Sequence, residues 1–305
     1  MRISVIIPAY NAADTIGACL ESVVNGADEV IVVDDVSTDG TADVVRKAFP
    51  EVVVLQQLNK GVSAARNAGM EAATGDYFTF VDADDRLFPN ALPEAVACAG
   101  ETEPDLLILR ILSDREEHYP WKGRFRCVRD YDKTDIVEDG YMRGSACGCL
   151  FKRDYIRRLS LRFPEGISMA EDTLFFNAAV AGGGSIRFGD IPFYHVIERP
   201  GSASRNYDDA FFKRLSAALF RTPEMIPDEA LCTQIRMSII LSITSHAIQQ
   251  HRSPEWTREI TGLDQARPLP LRGLKKGRMA VRLLNASYPL FYRIVQIKDS
   301  LKARG

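Results

Sequence analysis

Short apolar runs alternate with longer amphipathic segments through the first hundred residues of this chain. Four runs have the Val, Ile and aromatic content that is typical of β-strands, and they lie at residues 3–7, 30–33, 52–55 and 77–81. Three intervening segments repeat apolar residues at three- and four-residue spacing, as helices do, and they lie at residues 15–24, 41–48 and 63–73. The regular alternation of strand and helix predicts an α/β fold with a doubly wound, mostly parallel sheet flanked by helices.

The rest of the chain has a weaker pattern. Residues 92–100 predict a helix and residues 106–111 a strand, and the regularity is then lost as far as residue 130. A helical run begins at Glu171-Asp172, where the helix dipole favours carboxylates. From residue 207 the pattern is helical to the end, with breaks predicted near the prolines Pro223, Pro227, Pro254, Pro268 and Pro270.

Polar residues follow three of the predicted strands, and ligands of parallel α/β sheets bind beyond the carboxyl ends of strands. These exits read Pro8-Ala9-Tyr10-Asn11, Asp34-Asp35 and Asp82-Ala83-Asp84-Asp85. Carboxylates that converge on one edge repel one another unless a cation or several donors lie among them, and hard carboxylate oxygens suit Mg²⁺ or Mn²⁺. Asp82 and Asp84 can address one ion, because residues i and i+2 of an extended segment project to the same side. The alternative is that these residues form solvated turns or helix caps.

Composition narrows the class of protein. With 305 residues, 46% hydrophobic and 26% charged, the chain is ordinary for a globular enzyme. Its six cysteines include no CxxC pair, which indicates reduced thiols rather than a zinc site. The first residues lack a signal-peptide pattern, and no stretch reaches the roughly 18 apolar residues that span a bilayer. We therefore expect a cytoplasmic protein.

The net charge of −3 conceals a strong asymmetry along the chain. Residues 267–305 carry ten basic side chains against one acid, Asp299, a charge of +9 that leaves −12 for the rest. This tail mixes Leu, Val, Ile and aromatic residues with Lys and Arg, as interfacial helices do. It predicts a basic amphipathic appendage on the anionic inner face of a membrane, with packing on protein as the alternative. The acidic body argues against nucleic acid as a partner.

Four sequence blocks, in order and in register, resemble the family 2 glycosyltransferases, whose Rossmann-like fold is called GT-A. They read SVIIPAYNAADTIGACLESV, VVDDVSTDGTADVV, NKGVSAARNAGMEAATGDYFTFVDADD and RFPEGISMAEDTLF. Four ordered blocks are far more specific than a single DxD triplet. The resemblance implies a catalytic domain at residues 1–205, with a nucleotide-binding half at 1–100 and an acceptor half at 101–205. A helical extension at 206–305 follows.

The resemblance also implies a role for each strand exit. Pro8, Ala9 and Tyr10 would cradle the base and ribose of a nucleotide, and Asp35 would hydrogen-bond a uracil ring, with Asn11 and Asp34 beside them. Arg66 would lie near the phosphates. The metal, Mn²⁺ or Mg²⁺, would be bound by Asp84, supported by Asp82 and completed by His195. The segment after His195 resembles a mobile loop of the family, whose candidates for the diphosphate are Arg199, Ser202 and Arg205.

On the acceptor side the resemblance assigns the general base to Asp172 and a positioning role to Glu171. Sugar transfer needs both a metal site and a general base, because a metal stabilises the departing diphosphate and a carboxylate takes the proton of the attacking hydroxyl. The expected reaction is inverting transfer from a nucleotide diphosphate sugar, by family habit a UDP-sugar, to a glycan or lipid-linked acceptor. We also expect that the chain can associate with further copies of itself as a homo-oligomer.

Plainer interpretations exist for each of these residues. The two acidic pairs could be caps or an acidic first helical turn, Arg66 a solvated helix residue and His195 a packed histidine. The chain also departs from the family where many relatives read WNKLYRR, since residues 147–153 read CGCLFKR. That departure prevents inference of the acceptor by analogy. The alternative function is a GT-A domain that has lost catalysis and serves as a nucleotide-binding scaffold.

Overall fold

A computed structural model describes residues 1–58, 60–113, 129–131, 145–198, 207–263, 268–270 and 278–302. The strands are β1 (Ile3–Ala9), β2 (Glu29–Asp34), β3 (Val53–Gln56), β4 (Tyr77–Phe80), β5 (Arg86–Leu87), β6 (Leu106–Ser113), β7 (Arg129–Tyr131), β8 (Cys149–Lys152) and β9 (Ile186–Val196). The helices are α1 (Ile16–Val23), α2 (Thr41–Ala48), α3 (Val62–Ala72), α4 (Ala91–Ala99), α5 (Arg153–Arg158), α6 (Glu171–Ala181), α7 (Asp209–Met225), α8 (Glu229–Gln249), α9 (Pro254–Thr261), α10 (Arg278–Ala286) and α11 (Tyr288–Lys302).

The strands form one sheet in the order β3-β2-β1-β4-β8-β6-β9-β5, with β7 paired to β9. The half built from β1 to β4 is parallel throughout. In the other half β9 runs parallel to β6, and the remaining pairs, which involve β8, β5 and β7, are antiparallel. The predicted α/β fold with flanking helices is confirmed, and the sheet is parallel in its first half and mixed in its second.

Burial explains why these segments adopt their structures. All seven residues of β1 are buried, as in a strand covered on both faces. Helix α1 buries Ile16, Leu20 and Val23, whose spacing defines one helix face. Helix α3 approaches β1 so closely that a Cβ on Gly69 would lie 2.3 Å from Cγ2 of Ile6. A larger side chain at residue 69 would therefore push α3 away from the sheet.

Helices α7 to α11 form the predicted helical extension. The break predicted near Pro254 is confirmed, because Pro254 is the first residue of α9 and follows a Ser253 cap. The break predicted near Pro223 and Pro227 is confirmed between α7 and α8, although α7 continues through Pro223 to Met225. Pro223 lies in the last turn, so its ring removes a backbone hydrogen bond only where the helix is about to end.

Two clusters of buried apolar side chains lie in the described chain. One gathers the sheet and its helices, and the other gathers α7 to α11. Helix α6 contributes to both, with Phe175 and Phe176 in the first cluster and Leu174 and Ala178 in the second. This shared helix joins the region around the sheet to the helical extension, while the domain boundary at residues 205 and 206 stays a prediction.

Helix α11 is apolar on two sides. One side is buried in the second cluster and comprises Tyr288, Phe291, Tyr292 and Val295. The hydroxyl of Tyr288 lies 3.1 Å from Oγ1 of Thr244 in α8, so this side is held by a hydrogen bond as well as by packing. The alternative that the tail packs on protein therefore holds for this side of α11. Among the described helices, none combines the length and the apolar character needed to cross a membrane.

Candidate active site

The residues after β4 form a tight turn, here called the acidic turn (Asp82–Asp85), at the carboxyl edge of the parallel strands. The backbone N–H of Asp85 donates to the carbonyl of Asp82 at 3.0 Å and closes the turn. The hydroxyl of Thr15, just before α1, donates to the carbonyl of Ala83 at 2.8 Å. Asp85 is buried and Asp84 is exposed, with Asp82 between these extremes. Asp84 is therefore the carboxylate of the turn that is most open to solvent.

Arg66 lies in α3 and connects the acidic turn to the start of α6. Its Nη1 donates to Oε1 of Glu171 and its Nη2 to Oδ1 of Asp82, each at 2.9 Å. The side chain is 4% exposed, and its guanidinium lies 5.2 Å from the centroid of the Phe163 ring. We call the set Asp82, Arg66 and Glu171 the arginine bridge. Because two carboxylates already bind this guanidinium, the role of Arg66 toward phosphates stays a prediction.

Asp172 follows Glu171 in the first turn of α6, where the helix dipole favours a negative charge. The hydroxyl of Ser145 donates to Oδ2 of Asp172 at 2.8 Å. The same hydroxyl accepts the backbone N–H of Cys147 at 3.2 Å, so Ser145 is itself held in place. Of the two adjacent carboxylates, Glu171 is buried and ion-paired, whereas Asp172 is oriented and more accessible.

Burial and charge set the protonation of the arginine bridge. Burial and the neighbouring Asp172 raise the pKa of Glu171, and Arg66 opposes that rise. Burial acts to lower the pKa of Arg66, but the charges of Asp82 and Glu171 raise it overall. The guanidinium therefore stays charged, and its charge is what keeps a carboxylate acceptable at the buried position of Glu171.

The predicted uracil-binding residue Asp35 follows β2 and is 5% exposed. Its carboxylate accepts hydrogen bonds from the Gln57 side chain at 2.8 Å and from the backbone N–H groups of Lys60 at 2.8 Å and Gly61 at 2.9 Å. Asp34 is fully buried. Both aspartates thus organise the protein around the exit of β2, and their contacts with a nucleotide stay predictions.

The exit of β1 places one side chain in the open. Pro8 and Ala9 are buried, whereas Tyr10 is 56% exposed. Asn11 has a φ of 48°, and its Oδ1 accepts the backbone N–H of Thr38 at 2.9 Å. Asn11 therefore joins this exit to the loop after β2, and Tyr10 is the aromatic surface on which a planar base can stack.

The predicted metal ligands do not assemble into a preformed cage. The ring of His195 stacks on Phe88, with centroids 4.9 Å apart and planes 23° apart. The described residues contain no group of three or more His, Cys, Asp or Glu side chains placed to hold a metal ion, so Asp82, Asp84 and His195 are not such a triad. Mg²⁺ is commonly bound by one or two carboxylates together with substrate phosphates. The exposed carboxylate of Asp84 fits an ion that arrives with a diphosphate.

The structure also shows which residues the sequence pattern missed. Ser145 orients Asp172, and Tyr194 contacts the acidic turn from β9. Neither residue has a local signal, since a serine in a glycine-rich stretch and a tyrosine in a strand are both common. The loop candidates Arg199, Ser202 and Arg205 lie outside the described residues.

An α/β sheet with an acidic turn at its carboxyl edge, facing a second acidic pair across a buried arginine, fits the GT-A fold that the sequence predicts. Residues 4–160 match the family described as Glycosyl transferase family 2. The chain belongs to this family, and the predicted resemblance to the family 2 glycosyltransferases is confirmed.

Three known proteins illustrate the similarity. The poly(ribitol-phosphate) beta-glucosyltransferase of Bacillus spizizenii is 30% identical over 212 residues, which are 66% of this chain and 33% of that enzyme. The chain thus spans about a third of that relative. The crystal structure of S. aureus TarS residues 1–349 with UDP-GlcNAc has a TM-score of 0.75 at 23% identity, covering 99% of this chain and 92% of that one. The mannosyltransferase PcManGT of Pyrobaculum calidifontis, with GDP-Man and Mn²⁺, has a TM-score of 0.51 at 20% identity, covering 98% and 87%.

Proposed function

We propose that this chain is an inverting, metal-dependent glycosyltransferase that moves a sugar from a UDP-sugar to a hydroxyl of a glycan or lipid-linked acceptor. The observation that carries the proposal is the arginine bridge. Through two 2.9 Å hydrogen bonds, Arg66 holds the acidic turn, the proposed donor side, against the start of α6, the proposed acceptor side. Holding two reactants in the right geometry can supply a large part of the rate of a group transfer, and such a link helps to hold the two sides in place.

On the donor side, Asp84 would hold Mn²⁺ or Mg²⁺, with Asp82 supporting the ion or the donor sugar. When bound, the ion supplies charge stabilisation for the departing diphosphate. Tyr10 would stack on the base, and Asp35 would orient it. A UDP-sugar is supported by the complex of TarS with UDP-GlcNAc, and a metal by the complex of PcManGT with Mn²⁺.

On the acceptor side, Asp172 would take the proton of the attacking hydroxyl. Its position supports this role, because the Ser145 hydroxyl orients its Oδ2 at 2.8 Å while its side chain stays more accessible than that of Glu171. Glu171, held by Arg66, would act as a positioning residue. A single base and a direct attack from the face opposite the diphosphate invert the configuration of the sugar carbon.

The acceptor is proposed to be a cell-surface glycan precursor. Support comes from the relative named for poly(ribitol-phosphate), although this chain covers 33% of that enzyme. The segment 147–153 differs from the common family pattern, so the identity of the acceptor has to come from experiment.

Donor turnover tests the proposed function directly. Purified chain is incubated with UDP-glucose or UDP-GlcNAc and Mn²⁺, and released UDP is measured by chromatography. We expect release that EDTA abolishes and that the Asp84→Asn variant has lost, and inverted anomeric configuration in the product by NMR. Binding of UDP without any turnover, with acceptors supplied, would favour the catalytically degenerate scaffold. Retained configuration would contradict the single displacement.

We also propose that the extension attaches to an anionic membrane on the cytoplasmic side, beside a lipid-linked acceptor. The outer side of α11 exposes Leu290, Ile294 and Ile297 by 48%, 46% and 60%, at the spacing of one helix face. Arg293 and Lys298 lie exposed on the same helix. Each basic residue near an anionic surface contributes about 1 kcal/mol, and buried aliphatic side chains add to this, so reversible attachment is expected.

Liposome flotation tests this attachment. We expect the chain to bind anionic but not neutral vesicles, less at high salt, and the double variant Ile294→Asn with Ile297→Asn to stay in solution. Leu58→Asn is a matched control, because Leu58 is 82% exposed outside the extension. Equal partitioning of all three proteins would contradict the membrane proposal. Concentration-dependent self-association that the double variant abolishes would instead assign this face to a homo-oligomer.

A further inference from the structure

A buried tyrosine holds both ends of the acidic turn. Tyr194 lies in β9, is 1% exposed, and donates its hydroxyl to Oδ2 of Asp85 at 2.7 Å. The oxygen of the Tyr194 hydroxyl in turn accepts the backbone N–H of Asp82 at 3.2 Å. One hydroxyl therefore contacts the first and the last residue of a turn whose exposed member is Asp84.

The second oxygen of Asp85 ties the turn to the chain beyond β9. Asp85 is 8% exposed, and its Oδ1 accepts the backbone N–H of Ile197 at 2.8 Å. The short strand β5, which follows the turn, pairs with β9 so that Arg86 faces His195 and Leu87 faces Tyr194. The turn is thus held by β9 through the Tyr194 side chain and a strand pair, and by Ile197, just after β9, through the Asp85 carboxylate.

Backbone N–H and carbonyl groups on either side of Asp84 are held by hydrogen bonds. The N–H of Asp82 is bound by Tyr194, and the carbonyl of Asp82 by the N–H of Asp85. The carbonyl of Ala83 is bound by Thr15. A carboxylate carried by so constrained a turn loses little conformational freedom when it binds an ion, and partners of this kind commonly tune metal affinity.

We propose that Tyr194 and Asp85 are positioning residues that hold the Asp84 carboxylate where a metal-bound diphosphate meets it. The inference rests on the proposed function, and it adds two residues, neither of which touches the substrate itself. Their effect is on the metal, so it should appear in the Mn²⁺ dependence of nucleotide binding rather than in stability alone.

The variant Tyr194→Phe removes the hydroxyl and keeps the ring. Tyr77→Phe is a matched control, because Tyr77 is also 1% exposed and donates its hydroxyl at 2.8 Å to the carbonyl of Pro104, a contact that does not involve the acidic turn. UDP binding is measured by calorimetry over a series of Mn²⁺ concentrations, together with thermal melting. We expect Tyr194→Phe to raise the Mn²⁺ concentration for half-maximal UDP binding by about tenfold, and Tyr77→Phe to leave it within about twofold, although both lose a buried hydrogen bond.

The same Mn²⁺ dependence in both variants would overturn the positioning role. If Tyr194→Phe fails to fold, Asp85→Asn serves instead, since it keeps the shape of the side chain while replacing one of its two acceptor oxygens with an amide NH2 group, and it should raise the Mn²⁺ requirement in the same direction. An unchanged requirement in folded Asp85→Asn would also overturn the inference. The unaltered chain is the separate test of the proposed function, because absence of Mn²⁺-dependent UDP binding there refutes the metal-dependent reaction itself.

Discussion

Replacing Arg66 with methionine tests the arginine bridge, because it removes the guanidinium and keeps a long apolar stem. The variant leaves Glu171 in the interior, where it is 8% exposed, next to the charge of Asp172. The expected result is a loss of stability that comes from an uncompensated buried charge rather than from lost packing.

The structure sets the size of this loss. Breaking a buried ion pair by removing one partner costs about 3–5 kcal/mol. Loss of the Arg66–Asp82 ion pair adds little to this cost, because the Asp82 side chain is 37% exposed and water screens its charge. We therefore expect Arg66→Met to lower the free energy of unfolding by about 3 kcal/mol near neutral pH, chiefly through Glu171. Adding Glu171→Gln should recover most of this stability, since the neutral amide leaves no uncompensated charge in the interior.

The loss should also depend on pH. The folded-state pKa of Glu171 is raised by burial and by Asp172, so Glu171 contributes most to stability below its unfolded pKa. That contribution is lost as pH rises through the folded pKa. Removing Arg66 takes away the contact that opposes the rise and moves the folded pKa still higher. The difference between variant and unaltered chain should therefore be large near neutral pH and shrink toward about pH 4.5.

Urea denaturation followed by far-UV circular dichroism measures these quantities. The set comprises the unaltered chain, Arg66→Met, Glu171→Gln and the double variant, each at neutral and at acidic pH. A loss below about 1 kcal/mol, or one of equal size at both pH values, would show that the bridge does not stabilise a buried charge. Failure of the double variant to recover would refute the assignment to Glu171.

Three further predictions follow from the site and the fold. Asp84→Asn should weaken Mn²⁺-dependent UDP binding by at least about tenfold without changing the melting temperature, and normal Mn²⁺ affinity in calorimetry would contradict this. Asp172→Asn should lower kcat about a hundredfold while donor binding persists. If Glu171→Gln loses turnover and Asp172→Asn does not, the base has to be reassigned. Gly69→Ala should cost about 1–3 kcal/mol, because its Cβ would lie 2.3 Å from Cγ2 of Ile6, and an unchanged melting temperature would count against that packing.

Local pattern was enough to predict the elements of the first half of the chain. The helix predicted at residues 41–48 coincides with α2 (Thr41–Ala48), and the strand predicted at residues 3–7 is β1 extended by two residues to Ala9. Helix and strand periods are properties of neighbouring residues, so they can be found without the fold. The four ordered motif blocks likewise predicted the family and the residues of both acidic segments.

The partners of the charged side chains were decided by tertiary structure. Arg66 and Glu171 are 105 positions apart in the chain, and the Tyr194 hydroxyl meets the backbone of Asp82 across 112 positions. Such contacts depend on strand order and on the packing of α3 and α6 beside the sheet, which no local period encodes. The sequence therefore predicted neither the carboxylate partners of Arg66 nor the contact made by Tyr194.

The last helix, α11, shows the same difference between what the sequence determines and what the tertiary structure decides. Its sequence alone determined that it is helical, basic and rich in apolar residues. Only the fold decided that Tyr288 and its neighbours pack against α8 while Leu290, Ile294 and Ile297 remain exposed. A helix with two apolar sides carries no local signal for which side is buried, because that choice depends on the shape and hydrogen-bonding groups of the surface it meets.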